Sequence, residues 1–272
     1  MKLGISLKSI LVLILIIGAS FATGCVNEGA TARKEIMVTG STSLKPIADE
    51  LAEVYMQKNP DVVITVGGGG STVGITNVRE GTTNIGMSSR DLKGDEMTLN
   101  KIVIAWDGVA VVVNPTNNVD DLILEQIKKI YTGEIVNWKE VGGVEAKITV
   151  VTREEGSGTR GAFEDIIMGE DKITIDAITQ PSTGAVKATV AGDKNAIGYI
   201  SLAALTEDVK SLKIVGVEPT ADKINAGEYP LVRPFLFVTK QEPSGLAKDF
   251  IDFSLGDEGQ KIIERNGCIS IR

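Results

Sequence analysis

The stretch Ile102–Asn114, IVIAWDGVAVVVN, decides the fold that the sequence predicts. Its β-branched residues are typical of a buried strand, but it is longer than the usual strand of about five or six residues. Asp107-Gly108 interrupts it at the centre. We therefore predict a strand that leaves one lobe and enters another. A return strand is needed if the chain ends in the lobe where it began, and Pro230–Lys240 (PLVRPFLFVTK) fits that role.

The rest of the chain alternates short β-branched runs with helical patterns, which predicts α/β layers with a mostly parallel sheet. The predicted strands lie near residues 36–39, 62–66, 84–87, 102–114, 148–152, 196–200, 213–217 and 235–239. The clearest helix follows the first strand, with Pro46 in its first turn and Asn59-Pro60 at its end. Further helical patterns cover Leu122–Tyr131, Phe163–Ile167 and, as one or two helices, Leu246–Ile263.

The composition excludes several classes of function. The 272 residues include 28 Lys plus Arg, 36 Asp plus Glu and no His, which gives a formal net charge of −8. Without histidine there is no Ser-His-Asp triad, no His-ligated metal and no imidazole acid or base. The acidic balance argues against nucleic acid as the main partner, because phosphate backbones bind basic surfaces. A hydrophobic content of 43% is close to the globular average and excludes a disordered chain.

The first 24 residues are interpreted as a signal peptide. The apolar run Ile10–Ile17 follows Lys2 and Lys8 and is far shorter than the roughly 20 residues of a membrane-spanning helix. The segment ATGC that ends at Cys25 resembles a lipobox, which predicts cleavage before Cys25 and lipidation of its thiol. The alternative is an ordinary signal, cleaved nearby, that leaves a free thiol. Residues 25–34 then form the lipid anchor and tether, and the exported chain is two charges more acidic than its precursor.

Three segments share one design, in which a strand runs into a loop of Gly, Ser and Thr that opens a helix. They are Gly40–Ser43 (GSTS), Gly67–Thr72 (GGGGST) and Gly156–Thr159 (GSGT). A helix start leaves backbone N–H groups unpaired and carries about half a positive charge, so it attracts anions. Each loop alone is better explained as an ordinary N-cap. Three such loops, one of them just after Arg153, favour a common anion, because guanidinium binds oxyanions with two hydrogen bonds.

Motifs for other site chemistries are not present in the sequence. The glycine run Gly67–Gly70 matches neither GxGxxG nor GxxxxGK[ST]. The adjacent acids at 120–121 and 154–155 are interpreted as solvated turns or helix ends, and we expect neither a metal nor a cofactor. Once Cys25 is lipidated, Cys268 is the one remaining thiol, so we expect it to be a buried apolar side chain without a disulfide.

Eight segments together resemble one known family, in the family's order and over nearly the whole exported chain. They are GSTSLKPIADE (40–50), GGGGSTVGI (67–75), IGMSSRDL (85–92), DGVAVVVN (107–114), IKKIYTGEIVNWKEVGG (127–143), TREEGSGTRGAF (152–163), AIGYISL (196–202) and YPLVRPFLFVTK (229–240). The family is the phosphate-binding protein of the phosphate ABC importer. The resemblance implies a type II periplasmic-binding-protein fold, in which two crossover strands join two α/β lobes around a ligand cleft. Lobe I would comprise residues 35–112 plus 230–272, and lobe II residues 113–229.

The resemblance also implies which residues bind the anion. They are Ser43, the backbone N–H of Leu44, Ser71, Arg153, Ser157, Gly158 and Thr159, with Thr42 as a further candidate. Some family members carry an aspartate in the third loop that accepts the proton of phosphate, and here that place is Ser89, followed by Arg90. Ser89 is kept in the predicted set. Asp107 is the candidate replacement for the acceptor, and Arg90 is expected either to pair with Asp107 or to touch the anion.

The predicted function is that of a lipid-anchored receptor outside the cytoplasmic membrane or in the periplasm. It would capture hydrogen phosphate or dihydrogen phosphate as a monomer and hand it to an ABC permease, without covalent chemistry. One alternative keeps the fold but takes sulfate, molybdate or tungstate as the ligand. Another is a secreted phosphatase with Ser157 or Ser71 as nucleophile, for which only Ser-Lys activation is available. A third is a surface adhesion or sensing module that retains the fold.

Overall fold

The computed structural model describes residues 33–272, so the predicted signal peptide and Cys25 lie outside the described residues. Within that range the strands are β1 (Lys34–Gly40), β2 (Val62–Gly69), β3 (Ile85–Ser88), β4 (Asn100–Val113), β5 (Asp121–Leu122), β6 (Thr149–Arg153), β7 (Ile178–Gln180), β8 (Ala196–Ser201), β9 (Lys210–Ser211), β10 (Lys213–Ile214) and β11 (Val232–Thr239). The α-helices are α1 (Lys45–Lys58), α2 (Ser71–Glu80), α3 (Leu124–Thr132), α4 (Gly158–Phe163), α5 (Thr183–Gly192), α6 (Ala221–Asn225), α7 (Gly245–Leu255) and α8 (Asp257–Arg265).

Strand β4 belongs to two parts of one sheet. Its first part pairs with β11, from Asn100 opposite Thr239 to Gly108 opposite Val232. Its second part pairs with β8, starting at Val109 opposite Ser201. The change of partner therefore falls immediately after the Asp-Gly interruption that the sequence shows, and β11 is the predicted return strand.

The sheet is mixed, so the prediction of a mostly parallel sheet is wrong. Its strand order is β2-β1-β3-β11-β4-β8-β6-β7, with β9 beside β4. The outer strands are parallel: β1 pairs with β2 and β3, and β6 pairs with β7 and β8. The central strands are antiparallel, since β11 runs against β3 and β4, and β4 runs against β8 and β9. The reason is that β4 carries the chain outward and β11 brings it back.

The helices agree with the start and stop signals that the sequence carries. Helix α1 has its proline in the first turn and Asn59 as its C-cap residue, in agreement with the predicted start and end. Helix α4 continues directly into a π-helical turn at Glu164–Met168, which accounts for the apolar pattern there. The C-terminal pattern is two helices, α7 and α8, that meet at Gly256.

Buried apolar side chains of residues 33–272 form four clusters, and the two largest include residues of β4 before and after Asp107. One core joins α1 to β11 and α7, with Ile47, Leu51, Phe237 and Phe250 among its buried members. The other is built around Tyr131, Phe163 and Tyr199, and the rings of Phe163 and Tyr199 stack at 4.2 Å. The two predicted lobes and their boundaries stay a prediction. Across residues 33–272, the structure has no helix with the length and apolar character that crossing a bilayer requires.

Candidate functional site

Three hydroxyl groups from distant parts of the chain meet at helix starts. Ser43, just before α1, has its Oγ 2.9 Å from Thr159 Oγ1 in α4 and 2.8 Å from Thr183 Oγ1 in α5. All three side chains are at least 97% buried. Each hydroxyl can donate one hydrogen bond and accept others, so the group is adaptable toward an oxyanion. Thr42 joins the cluster, since its Oγ1 accepts from the Thr183 backbone N–H at 3.3 Å.

Arg153 supplies the buried positive charge beside these hydroxyls. It ends β6, its side chain is 2% exposed, and its Nη1 donates to Thr183 Oγ1 at 3.2 Å. Its Nε and Nη2 donate to the two carboxylate oxygens of Glu154, both at 2.8 Å. Nε also lies 3.2 Å from the carbonyl of Gln180. Guanidinium has five N–H donors, so Nη1 and Nη2 each keep one hydrogen for a further acceptor.

The second loop contributes a pair of buried serines. Ser71 is the first residue of α2, and its Oγ accepts from the backbone N–H of Ser89 at 3.0 Å. The two Oγ atoms lie 3.4 Å apart. Gly158 packs against both, because a Cβ on that residue would lie 2.2 Å from Ser71 Oγ and 2.5 Å from Ser89 Oγ. A glycine is therefore required for the third loop to approach the second this closely.

Backbone groups also connect the second and third loops. The N–H of Thr72, in the first turn of α2, donates to the carbonyl of Gly156 at 3.0 Å. The N-cap residue of α2 is Gly70, where φ is 95°, and the helix has no side-chain cap of its own. A residue with a side chain at position 70 would be strained in that conformation. The start of α2 is thus completed by the loop that carries the GSGT sequence.

Asp107 forms a buried ion pair with Arg233. Its Oδ2 accepts from Arg233 Nε at 2.9 Å and Nη2 at 2.8 Å. Its Oδ1 accepts from Ser201 Oγ at 2.9 Å. Burial raises the pKa of the Asp107 carboxyl, and the charge of Arg233 and these hydrogen bonds oppose that rise.

Arg90 pairs with a different acid. Its Nη1 and Nη2 donate to the two carboxylate oxygens of Glu96 at 2.7 and 2.9 Å. Burial by itself would raise the pKa of Glu96, but the hydrogen bonds from Arg90 and the Lys93 backbone outweigh it and hold that pKa below its usual value. The pair lies beside the second loop, since Arg90 Nη2 is 3.4 Å from Thr72 Oγ1.

Comparison with known proteins identifies the family. Residues 26–258 match the model of the PBP superfamily domain. The phosphate-binding protein PstS of Bacillus subtilis is 36% identical over 97% of this chain and 95% of its own length. A PstS of Borreliella burgdorferi is 31% identical over 98% of this chain and its full length. The chain belongs to the PstS family of the PBP superfamily.

Solved structures support the same placement. A structure from Clostridium perfringens with bound phosphate is 43% identical, with a TM-score of 0.85 over 88% of this chain and all of its own. An ABC-type phosphate transport receptor from Vibrio cholerae is 38% identical, with a TM-score of 0.73 over 86% of this chain and 99% of its own. The α/β fold expected for the PBP superfamily is thus confirmed. The names of these relatives describe binding and transport, not catalysis.

The structure brings most of the residues that the family resemblance implied into contact. Those that meet across the loops are Thr42, Ser43, Ser71, Ser89, Arg153, Gly158 and Thr159. Ser157 caps α4, because its Oγ accepts from the Arg160 backbone N–H at 3.3 Å. The Leu44 side chain lies in the core, and its N–H is 3.3 Å from Ser41 Oγ. That these residues bind an anion stays a prediction.

Three expectations need correction. Arg90 does not pair with Asp107, because Glu96 lies closer along the chain and faces its guanidinium. Asp107 already accepts hydrogen bonds from Arg233 and Ser201, so a role as proton acceptor for the anion is not supported. Glu154 is not a solvated acid, since it holds Arg153.

Two residues of the site were missed by the reasoning from sequence. Thr183 follows β7 and opens α5 in the segment PSTG, which has the same strand, Ser/Thr/Gly and helix order as the three loops recognised above. That signal could have found it. Arg233 lies within a hydrophobic strand pattern and carries no loop signal, so its pairing with Asp107 could not be recognised locally.

Within residues 33–272, no group of three or more His, Cys, Asp or Glu side chains could hold a metal ion. Cys268 is buried, as predicted, and it is a free cysteine within residues 33–272.

Proposed function

We propose that this protein is an extracytoplasmic receptor that binds inorganic phosphate and delivers it to an ABC import permease. The observation that carries the proposal is the meeting of Ser43, Thr159 and Thr183 beside the buried guanidinium of Arg153. Two PstS proteins and a transport receptor are among its relatives, and a similar structure holds phosphate. These features together support the assignment.

The proposed site uses neutral donors with one strong cation. Hydroxyls can donate to phosphate oxygens, and they can also accept the proton of hydrogen phosphate. A receptor with Ser89 in place of an aspartate can therefore still recognise a protonated anion. The proposed ligands are Thr42, Ser43, Ser71, Ser89, Arg153, Ser157, Gly158, Thr159 and Thr183, with the backbone N–H of Leu44.

The site also supports the proposed two-lobed arrangement. Ser43 and Ser71 belong to proposed lobe I, residues 35–112 plus 230–272, whereas Arg153 and Thr183 belong to proposed lobe II, residues 113–229. A ligand held by both sides would favour closure of the cleft, because hinge-bending proteins gain contacts from both lobes when they close. We further propose export and anchoring to the membrane through a lipid on Cys25, with the protein acting as a monomer.

Titration calorimetry of the purified mature protein at pH 7 tests the choice of anion. Phosphate is expected to bind more tightly than sulfate or molybdate. Sulfate is the informative competitor, because the Asp107 carboxylate is already paired and a site made only of donors would suit a fully ionised anion. Tighter binding of sulfate or molybdate would overturn the phosphate assignment, and no binding of any oxyanion would overturn the receptor function.

Incubation with an aryl phosphate separates binding from catalysis. A receptor should release no phenol over many hours at micromolar protein. The control is the variant Ser157→Ala, which removes the most plausible nucleophile of the phosphatase alternative. Sustained turnover that disappears in this variant would contradict the proposed function.

A further inference from the structure

The buried ion pair of Asp107 and Arg233 joins the two strands that cross between the apolar cores. The two residues are direct register partners, Asp107 in β4 and Arg233 in β11. Both side chains are almost fully buried, with exposed fractions of 0% and 1%. Replacing such a pair by apolar residues is often neutral for stability, because desolvation offsets the attraction between the charges. Its presence therefore calls for an explanation other than stability.

Arg233 also reaches a loop of the candidate anion site. Its Nη1 donates to the backbone carbonyl of Ser89 at 3.2 Å. The N–H of the same residue, Ser89, donates to Ser71 Oγ. Hydrogen bonds thus run from the Asp107 carboxylate through Arg233 to Ser89, and from there to the serine at the start of α2.

The Arg233 guanidinium is itself held in one orientation. Two of its nitrogens bond to Asp107 Oδ2, and its carbon lies 5.3 Å from the centre of the Phe235 ring. The other oxygen of the carboxylate, Oδ1, accepts from Ser201 Oγ at 2.9 Å. Because the planar guanidinium has a rigid arrangement of donors, fixing two of its nitrogens also fixes the direction of the third.

We propose that Arg233 is a positioning residue of the anion site, which holds Ser89 and, through it, Ser71 in place, and that Asp107 acts only by orienting Arg233. This inference rests on the proposed function, because it concerns the same site. Neither side chain has to touch the anion. Asp107 neutralises the charge of Arg233, so the pair holds Ser89 in position and adds no net positive charge to the site.

The test compares Arg233→Met with the double variant Asp107→Asn/Arg233→Met. The single variant leaves a buried carboxylate without its partner and should be strongly destabilised in urea unfolding. The double variant removes both charges and should recover most of that stability. Its phosphate affinity should nevertheless stay at least tenfold below that of the unchanged protein, because the Ser89 carbonyl still lacks its donor. Affinity that recovers together with stability would overturn the proposal.

A second measurement does not depend on the stability of the Arg233→Met variant. Arg233→Lys keeps the charge but loses the guanidinium geometry, so phosphate affinity should fall at least threefold. In a Ser71→Ala background the same change should have less than half that effect, because both act through one serine. Equal losses in the two backgrounds would contradict positioning through Ser71.

Gln260→Leu is the matched control for the loss of a buried hydrogen-bonding side chain. Gln260 donates to the carbonyls of Ile104 and Ser254 and accepts from the Ile271 backbone N–H, and within residues 33–272 it has no hydrogen bond to the three loops. It should lower stability with unchanged phosphate affinity. Failure of the proposed function can be distinguished from failure of this inference. If the proposed function is wrong, the unchanged protein does not bind phosphate. If only this inference is wrong, the unchanged protein binds phosphate and the double variant binds it equally well.

Discussion

At the scale of single residues, the candidate site depends on neutral hydroxyl groups. The Thr183 hydroxyl lies within hydrogen-bonding distance of three other proposed ligands, which are Thr42, Ser43 and Arg153. Its hydroxyl is also the acceptor that orients Nη1 of Arg153. Thr183, one of the two residues that reasoning from sequence missed, is therefore central to the proposed geometry.

Thr183→Val should weaken phosphate binding by about 1.5–3 kcal/mol, the range for a hydrogen bond to a charged group. Valine keeps the shape of threonine but has no hydroxyl for Ser43, Arg153 or the anion. Titration calorimetry measures the change. Thr183→Ser is the control and should bind nearly as well as the unchanged protein. Equal affinity of the valine variant would remove Thr183 from the site.

Gly158→Ala should disrupt the contact between the second and third loops. The added methyl group would collide with Ser71 Oγ and Ser89 Oγ, and such overpacking destabilises by about 1–3 kcal/mol. Phosphate affinity should fall with it. Gly156→Ala is a matched control two residues away, since its Cβ would meet only Thr72, at an ordinary distance of 3.6 Å. Similar losses in both variants would contradict the argument from close approach.

Glu96→Gln should remove a pH-dependent part of the stability. The pKa of Glu96 is lowered in the folded protein, so its contribution is present above the usual value near 4.5 and is lost as the pH falls through the lower folded value. At pH 7 the variant should be less stable by about 1–3 kcal/mol, and the difference should vanish below that folded value. Urea unfolding between pH 7 and pH 3 measures this.

Glu145→Gln provides the comparison for that experiment. Glu145 meets Lys139 on the surface, where its side chain is 76% exposed, and such pairs contribute little at any pH. A difference between Glu96→Gln and the unchanged protein that does not shrink as the pH falls from 7 to 3 would show that Glu96 acts through packing instead of charge.

At the scale of elements, the helices that begin at the site are capped in different ways. Helices α4 and α5 are capped by their own serines, Ser157 and Ser182. Helix α2 has no such cap and uses the carbonyl of Gly156 from a distant loop. Because the Thr72 N–H bonds to a carbonyl of another loop, anion binding that draws the two loops together can strengthen this bond.

Hydrogen exchange of the Thr72 amide should therefore respond to phosphate. Closure around the anion is expected to strengthen its bond to the Gly156 carbonyl and to slow its exchange by about tenfold or more, the equivalent of about 1.4 kcal/mol. The Gly74 amide is the control, because it bonds within the same helix start to the Gly70 carbonyl. If both amides slow equally, the capping of α2 does not depend on closure.

At the scale of the whole molecule, two apolar cores are linked by β4 and β11, and the proposed ligands come from both sides of these strands. The chain enters through one core, builds the other and returns, so residues near both ends contribute to the first core. A ligand that contacts both sides should stabilise the folded molecule as a unit, since only the folded state holds the loops together.

Phosphate at 100 times its dissociation constant should raise the free energy of unfolding by about 2.7 kcal/mol. Thermal or urea unfolding with increasing phosphate measures the effect. Arg153→Ala should reduce it at the same phosphate concentration, because loss of one member of a buried charged group weakens binding by roughly 2–5 kcal/mol. An unchanged midpoint in the presence of saturating phosphate would contradict selective binding to the folded state.

The acidic composition is compatible with this binding. The net charge of −8 acts on an approaching anion through a field that salt screens over about 8 Å, whereas hydroxyls and Arg153 act at contact. The absence of histidine fits a receptor that needs donors and acceptors but no catalytic base.

Much of the fold could be predicted from sequence because its signals are local. The interruption at Asp107-Gly108 marked the point where β4 changes partners, and Pro46 and Asn59 marked the bounds of α1. The three Gly, Ser and Thr loops were recognised from the same short-range pattern. The parallel character of the sheet was overestimated, because strand direction depends on where the chain returns and not on the composition of a strand.

The sequence by itself determined the α/β class, the crossover strand and the loops that meet at the site, since strand, turn and helix-start preferences act over a few residues. Only the tertiary structure decided which charges pair. Arg233 lies 126 residues from Asp107 and reaches it through the register of β11 on β4, whereas Arg90 turns to Glu96 nearby. Such pairs are selected by burial and by strand register, because a buried charge must be neutralised by whatever partner the folded chain brings within hydrogen-bonding distance.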